Sequence, residues 1–284
     1  MALIGSLGAI RRYPVKSMRG EEFAAAVIGE RGLAHDRAWA VIDRETGLVA
    51  SAKLPRLWGG LLACEARVLD QPGGAGEPPV EIRLPDGAIL TAGDGELDVA
   101  LSRAFGRAVT LATVPPPGAA IARYWPDLAA LPLRDTETTG PIGLGAPPGT
   151  FFDYAPVHLL TTAALAHLRA VAPGVDWDAR RFRPNLVLAT DGPPGLVENA
   201  WVGRALLIGD AVRLRITTPS PRCVVPTLPQ GALPRDPAVL RAVAAHNRPA
   251  LPALGGATLP SLGVYAVVER GGVVRRGDPL RLDG

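Results

Sequence analysis

Residues 205–227 read ALLIGDAVRLRITTPSPRCVVPT, and this passage separates a barrel from a doubly wound sheet. Ala205–Ile208 and Val212–Thr217 are strand-like, and the Gly209-Asp210 turn between them leaves no length for a crossover helix. Strands joined this tightly lie antiparallel. Pro219, Pro221 and Pro226 then fix the backbone at three points, so Cys223 is held with little conformational freedom. Arg222 adjoins it. A guanidinium beside a thiol favours the thiolate, the form that ligates soft metals or attacks electrophiles. The competing reading is an inert buried cysteine.

Working outward, Asp236-Pro237 starts a helix containing Leu240 and Val243. Val264–Glu269 and Val273–Arg276 are expected to form a closing hairpin over Gly271-Gly272. Upstream, Arg183–Leu188 leads into a strand. A strand at 158–160 is followed by a helix that Thr161 or Thr162 can cap, with Leu165, Leu168 and Val171 on one face and Pro173-Gly174 as the stop. Residues 115–150 are rich in Pro and Gly and are expected to be a linker or long surface loop. They set the expected boundary between domains at 1–115 and 116–284.

The first half offers strands at 3–13, 22–30 and 37–43, a returning segment at 48–50, and a strand at 61–69 on which Cys64 alternates with apolar residues. Val80–Leu84 and Ala88–Thr91 face each other across Pro85-Asp86-Gly87. Residues 96–105 form a helix that Gly106 ends. Strands do not alternate regularly with helices, so the expected class is mainly β with a few helices (α+β): a small N-terminal β-barrel domain, then a second β-barrel domain.

The chain has 284 residues, 30 Lys+Arg against 27 Asp+Glu, 33 Gly and 29 Pro. A net charge of +3 and the lack of like-charge runs argue against nucleic acid as a partner. Two cysteines supply neither a disulfide framework nor the four thiolates of an iron–sulfur cluster. No stretch approaches the apolar length of a membrane span. Met1–Ile10 lacks the basic flank and cleavage site of a signal peptide. A cytoplasmic protein without membrane partners is expected.

Three further clusters carry cations. YPVKSMRG, residues 13–20, places Lys16 and Ser17 after a Pro-fixed bend, a pair suited to an anionic group such as phosphate. Lys16 and Lys53 are the only lysines. In RGLAHDRAWAVID, residues 31–43, Arg37 is expected to begin a strand and reach the same anion, with a salt bridge to Asp36 or Asp43 as the alternative. RRFRPN, residues 180–185, is dense in arginine. His158 and His167 lack metal-ligand spacing. G-x-S-x-G, H-E-x-x-H, P-loop and helix-opening G-x-G-x-x-G motifs are absent, which weakens hydrolase, NTPase and nicotinamide readings.

Taken in order, YPVKSMRGEEF, RGLAHDRAWAVID, FFDYAPVHLLTTAALAHL, RRFRPNLVL, GDAVRLRITTPSPRCVVPT and LGVYAVVERGGVVRRGDPLRL resemble the MOSC-domain proteins that carry an N-terminal MOSC β-barrel domain. The resemblance spans nearly the whole chain. It implies a molybdenum-cofactor-binding protein similar to amidoxime-reducing components and their bacterial relatives. Carried over by motif, it implies Cys223 as molybdenum ligand and catalytic residue. Lys16, Ser17 and Arg37 would hold the pterin phosphate and its surroundings. Thr161 and Thr162 would contact the cofactor at a helix N-terminus. Arg183, Asn185 and Arg222 would complete the cradle.

The resemblance further implies an oxidoreductase acting on N-hydroxylated or N-oxygenated small molecules, with electrons from a separate reductase, ferredoxin or cytochrome-type donor. The alternative it leaves open is a non-catalytic cofactor carrier or sulfur-transfer module. Pyridoxal phosphate is not expected. Against that resemblance, no ferredoxin-type domain, membrane anchor or cysteine-desulfurase domain is expected, and Pro221 stands where the mitochondrial relatives often have Ser. The sharpest expectation is geometric: Cys223, Arg37 and Arg183 should share one cavity.

Overall fold

Seven strands build the larger body: β1 (Ala2–Arg12), β2 (Val157–Thr161), β3 (Leu186–Thr190), β4 (Ala205–Ile208), β5 (Val212–Pro221), β6 (Ser261–Arg270) and β7 (Pro279–Leu282). The computed structural model describes residues 2–69 and 77–283. The strands run in the order β3-β2-β6-β5-β4-β7-β1, and pairing of β1 with β3 closes the ring. Six of the seven pairings are antiparallel. The pair β2–β3 is parallel, which requires a crossover, and the helix Thr162–Val171 supplies it. On β5, Val212, Leu214 and Ile216 point into the barrel and are fully buried. The alternate Arg213 and Arg215 lie outside and both bind Glu269. Leu7, Ile10, Leu159, Leu188 and Val264 fill the same interior.

The closing strand β1 is irregular. Its register shifts between Leu3 and Gly5 against β7 and between Leu7 and Ala9 against β3. Gly5 sits at φ +141, and a Cβ there would lie 2.0 Å from the Ala189 carbonyl oxygen. Only glycine lets the two backbones approach this closely.

Residues 40–112 pack around a second core containing Val41, Leu54, Trp58, Leu61, Leu97 and Leu101. Ala40–Asp43 pairs with Val109–Ala112, and Glu65–Val68, Val80–Arg83 and Ile89–Thr91 form a three-stranded sheet. The helix Leu97–Phe105 ends at Gly106 in the left-handed region, φ 64, as its sequence predicts. A third apolar cluster joins the helices Thr162–Val171 and Ala238–His246 through Leu165, Trp177, Phe182 and Val243.

Four local expectations are corrected. Residues 115–150 are not merely a linker: Ala120–Trp125 and Thr136–Pro141 form an antiparallel hairpin. It is anchored by Ile121 beside Ala40, Val49 and Phe151. Gly272–Arg275 does not fold back on β6, because both edges of β6 are taken by β2 and β5; it pairs instead with Ala25–Gly29. Gly59–Ala63 is a 3-10 turn, so Cys64 ends that turn rather than lying within a strand. Arg37 occupies a turn at φ 49, and the strand begins only at Ala40.

One strand of the first half, β1, is a stave of the barrel and pairs with β7.

Candidate cofactor site

Where the barrel meets the N-terminal body, a cleft is lined by Lys16, Ser17, Arg37, Arg183, Arg222 and Cys223. Asn185 lines it as well. Three of these residues, Ser17 (φ 66), Arg37 (φ 49) and Arg183 (φ 54), are non-glycine residues in the left-handed region. Such conformations cost on the order of 1–3 kcal/mol each and persist only where the surroundings over-determine them. Here they turn the side chains of three separate loops toward one space.

Tyr13 organises two of the cations. Its ring is buried, with the Arg37 guanidinium 4.4 Å and the Arg183 guanidinium 4.3 Å from its centroid. Its hydroxyl donates to the Pro184 carbonyl at 3.2 Å. Arg37 also donates to Asp36 Oδ2 at 2.5 Å and to the Arg183 carbonyl at 3.3 Å. Asp36 accepts as well from the Tyr13 amide, 2.7 Å, and from Asn185 Nδ2, 2.9 Å. Asn185 is 2% exposed, and its Oδ1 accepts from the His158 amide. It therefore fixes the walls rather than offering free donors. Arg183 differs: its Nη2 is buried and without a partner. Burial, reinforced by Arg37, lowers its pKa to about 10. A charged, partly unpaired guanidinium here is a standing demand for an anion.

Lys16 is spoken for. Its Nζ donates to the Phe151 carbonyl and to Asp153 Oδ1, each at 2.7 Å. Burial pulls its pKa down to about 8 despite the Asp153 carboxylate. Lys53 Nζ lies 3.3 Å from Asp153 Oδ2. Burial alone would raise the Asp153 carboxyl, but the two ammonium groups hold it well below the ordinary carboxylate range. The Ser17 hydroxyl accepts from the Ala52 amide at 3.1 Å, leaving its proton available to the cleft.

Arg222 is fixed at three points. It donates to the Ser220 carbonyl at 3.0 Å, the Phe182 carbonyl at 3.3 Å and His158 Nε2 at 2.8 Å. Burial and the Arg222 charge push the His158 pKa well below its usual value. His158 is therefore a neutral acceptor at Nε2, with its proton on Nδ1. Beneath it, Gly263 sits at φ +74; a Cβ there would meet the Leu159 carbonyl oxygen at 2.4 Å and His158 Nε2 at 2.6 Å.

Cys223 is partly exposed in this cleft, whereas Cys64 is buried, with its pKa raised to about 11 by burial. Among the described residues no three His, Cys, Asp or Glu side chains converge as a metal site. The cleft therefore offers one soft donor, surrounded by cations. Lys16, Arg37, Lys53, Arg181, Arg183 and Arg222 line it, with Asp153 as the one carboxylate among its lining residues. Arg181 spends its charge on Asp176. This donor set suits a group that brings its own metal ligands and carries negative charge.

Thr161 and Thr162 are not brought into the cleft. Thr161 Oγ1 caps the helix by accepting from the Ala164 amide, and it donates to Glu198. Thr162 Oγ1 accepts from the Thr190 amide, and the Ala163 amide donates to Thr190 Oγ1. These first-turn amides are satisfied within the protein, so that helix end has little to offer an anion.

Sequence reading gave no site role to Asp153, Lys53, Tyr13 or His158. Lys53 shares the rarity that drew attention to Lys16. Asp153 sits in FFDYAP, a motif whose aromatic residues masked its acid.

The MOSC domain family model matches residues 147–281, and the MOSC N-terminal beta barrel domain model matches residues 4–87. The MOSC domain is associated with molybdenum-cofactor binding. The chain is 25% identical over 300 aligned residues to mitochondrial amidoxime-reducing component 1 of Mus musculus, covering 99% of this chain and 83% of the relative. Among solved structures, the YUAD protein from Bacillus subtilis aligns over 99% of this chain and 96% of its own, with 14% identity and a TM-score of 0.44. YiiM from Geobacillus stearothermophilus aligns over 45% of this chain and 54% of its own, with 17% identity and a TM-score of 0.30. No helix among the described residues is long and apolar enough to cross a membrane. The closed seven-stranded barrel and the two family matches lying in order along the chain place it among the MOSC-domain proteins that carry an N-terminal MOSC beta barrel domain.

Proposed function

We propose that the chain binds a molybdenum cofactor in the cleft and reduces N-hydroxylated or related N-oxygenated small molecules, taking electrons from a separate donor protein. The observation that carries this reading is the meeting of Cys223 with Arg37, Arg183 and Arg222 around one cleft. The Mus musculus relative, by its name an amidoxime-reducing component, supports the reaction class.

The residues fit the group. Arg183, whose buried Nη2 lacks a partner, and Arg37 beside it would hold the cofactor's phosphate, with the Ser17 hydroxyl as a further donor. Cys223 would give the single protein thiolate to the metal. Arg222 lies next in sequence and is immobilised by His158 and two carbonyls, so its charge is fixed in the same cleft. Lys16 and Lys53 would act through Asp153, fixing its carboxylate and keeping the cleft positive. Asn185 would position rather than contact. When bound, the cofactor supplies a two-electron centre: N–OH becomes N–H and water, with two protons consumed and two electrons drawn from the donor. The chain's own task is to seat the group, orient Cys223 and hold the charge balance.

The test is Cys223→Ala in protein produced where the cofactor is made. Reduction of an N-hydroxylated substrate with a chemical electron donor should fall at least 100-fold, while the fold and the pterin content persist. Undiminished reduction by molybdenum-loaded Cys223→Ala protein overturns the ligand assignment. Cofactor-loaded wild-type protein that is inert with every donor favours the carrier alternative.

A further inference from the structure

Beside the cofactor cleft lies a second, more apolar one. The two share Lys53, Asp153, Tyr154, Pro221 and Tyr265 as walls. The rings of Tyr154 and Tyr265 are 5.5 Å apart, tilted at 35°. Leu144, 70% exposed, and Leu254, 47% exposed, stand among the lining residues. Together with the paired rings, these side chains give the cleft an apolar lining of the kind that small-molecule sites use.

One cation in this cleft has no acid. Arg123, on the hairpin strand Ala120–Trp125, forms no salt bridge among the described residues. Its Nε is buried without a partner. Its contact with the protein is Nη2 to the Pro141 carbonyl at 3.5 Å, at the limit of a hydrogen bond. The nearby carboxylate, Asp153, is already held by Lys16 and Lys53. The guanidinium is packed over Gly140, where a Cβ would stand 3.1 Å from Nη2. A half-buried arginine without an acid, beside an aromatic wall, matches a planar molecule that carries a carboxylate.

We infer that this second cleft is the substrate site, and that it selects aromatic N-oxygenated compounds bearing an acidic group, with the Tyr154–Tyr265 pair as the wall against which the ring packs and Arg123 pairing with the acid. The inference rests on the reductase reading of the adjoining cleft. The reducible end would point across the shared wall toward Cys223, and the acid toward the hairpin.

The test compares benzamidoxime with 3- and 4-carboxybenzamidoxime, by calorimetric titration into the cofactor-loaded protein. At least one carboxylated probe should bind about tenfold more tightly than the parent. Arg123→Leu should abolish that preference while changing benzamidoxime affinity less than twofold. Leu144→Glu, at an exposed position that folding does not depend on, should weaken the acidic probes selectively by repulsion. Equal affinity for all three probes in the wild type, or equal loss for all three in Arg123→Leu, overturns the inference. The predicted selectivity without reduction of any probe would leave the cleft assignment standing and sink the reductase reading.

Discussion

Glu198 is 1% exposed behind the cleft, with Oε2 accepting from Thr161 Oγ1 at 2.7 Å and Oε1 without a partner. Burial lifts its pKa to about 7, against the opposing hydrogen bond from Thr161. The folded protein thus holds this proton more tightly than the unfolded chain. Stability contributed by the protonated acid is full below about pH 4.5 and is lost as pH rises through 7. Glu198→Gln should remove that slope, leaving the variant more stable above pH 7 by up to about 3 kcal/mol. Urea unfolding at pH 5 and pH 8 checks this; an unchanged pH dependence refutes it. The same residue shows what one-dimensional reading misses. Thr161 was legible as a helix cap, and its hydroxyl is taken up by the Ala164 amide and Glu198. Lys16 was legible as special, yet its partner Asp153 lies far along the chain, so the pairing could not be read from either motif.

At the scale of elements, Gly263 on β6 is where strand and site meet. Its φ of +74 and the 2.4 Å approach of a Cβ to the Leu159 carbonyl leave no room for a side chain. Gly263→Ala should cost roughly 3 kcal/mol or more through backbone strain and overpacking. It should also displace His158 and with it Arg222. Gly47→Ala is the control: φ is +70, but nothing lies within 4 Å, so about 1 kcal/mol is expected. Thermal unfolding of both variants separates space from conformation, and equal losses would contradict the geometry. Elements with local signals were readable: the helix Leu97–Phe105 stopped by Gly106, and β4–β5 turned by Gly209-Asp210. The hairpin at Ala120–Trp125 and Thr136–Pro141 was not, because its anchor is Ile121 against residues from the first half and Phe151. Gly272–Arg275 pairs with Ala25–Gly29 because β6 has no free edge, a fact of the closed ring that no local pattern carries.

For the whole molecule, the barrel is sealed by β1 between β3 and β7. A fragment of residues 116–284 would expose both edges and lose Leu7 and Ile10 from the interior. It should fail to fold cooperatively, and a peptide spanning residues 2–24 should restore ordered β-structure when added. Circular dichroism and gel filtration decide the matter; a monomeric fragment with a sharp melt would contradict it. The mainly β class and the two-part architecture were legible from strand spacing and the scarcity of long helices. The ring closure was not, because pairings such as Gly5 with Thr190 reach across most of the polypeptide.

That seam has a consequence for biosynthesis. The stave Ala2–Arg12 leaves the ribosome long before its neighbour Pro279–Leu282. Until then, Lys16 and Arg37 wait on an incomplete scaffold for Cys223 to be fixed opposite them. A site framed by both ends of the ring is therefore complete only after its last-made stave has been synthesised.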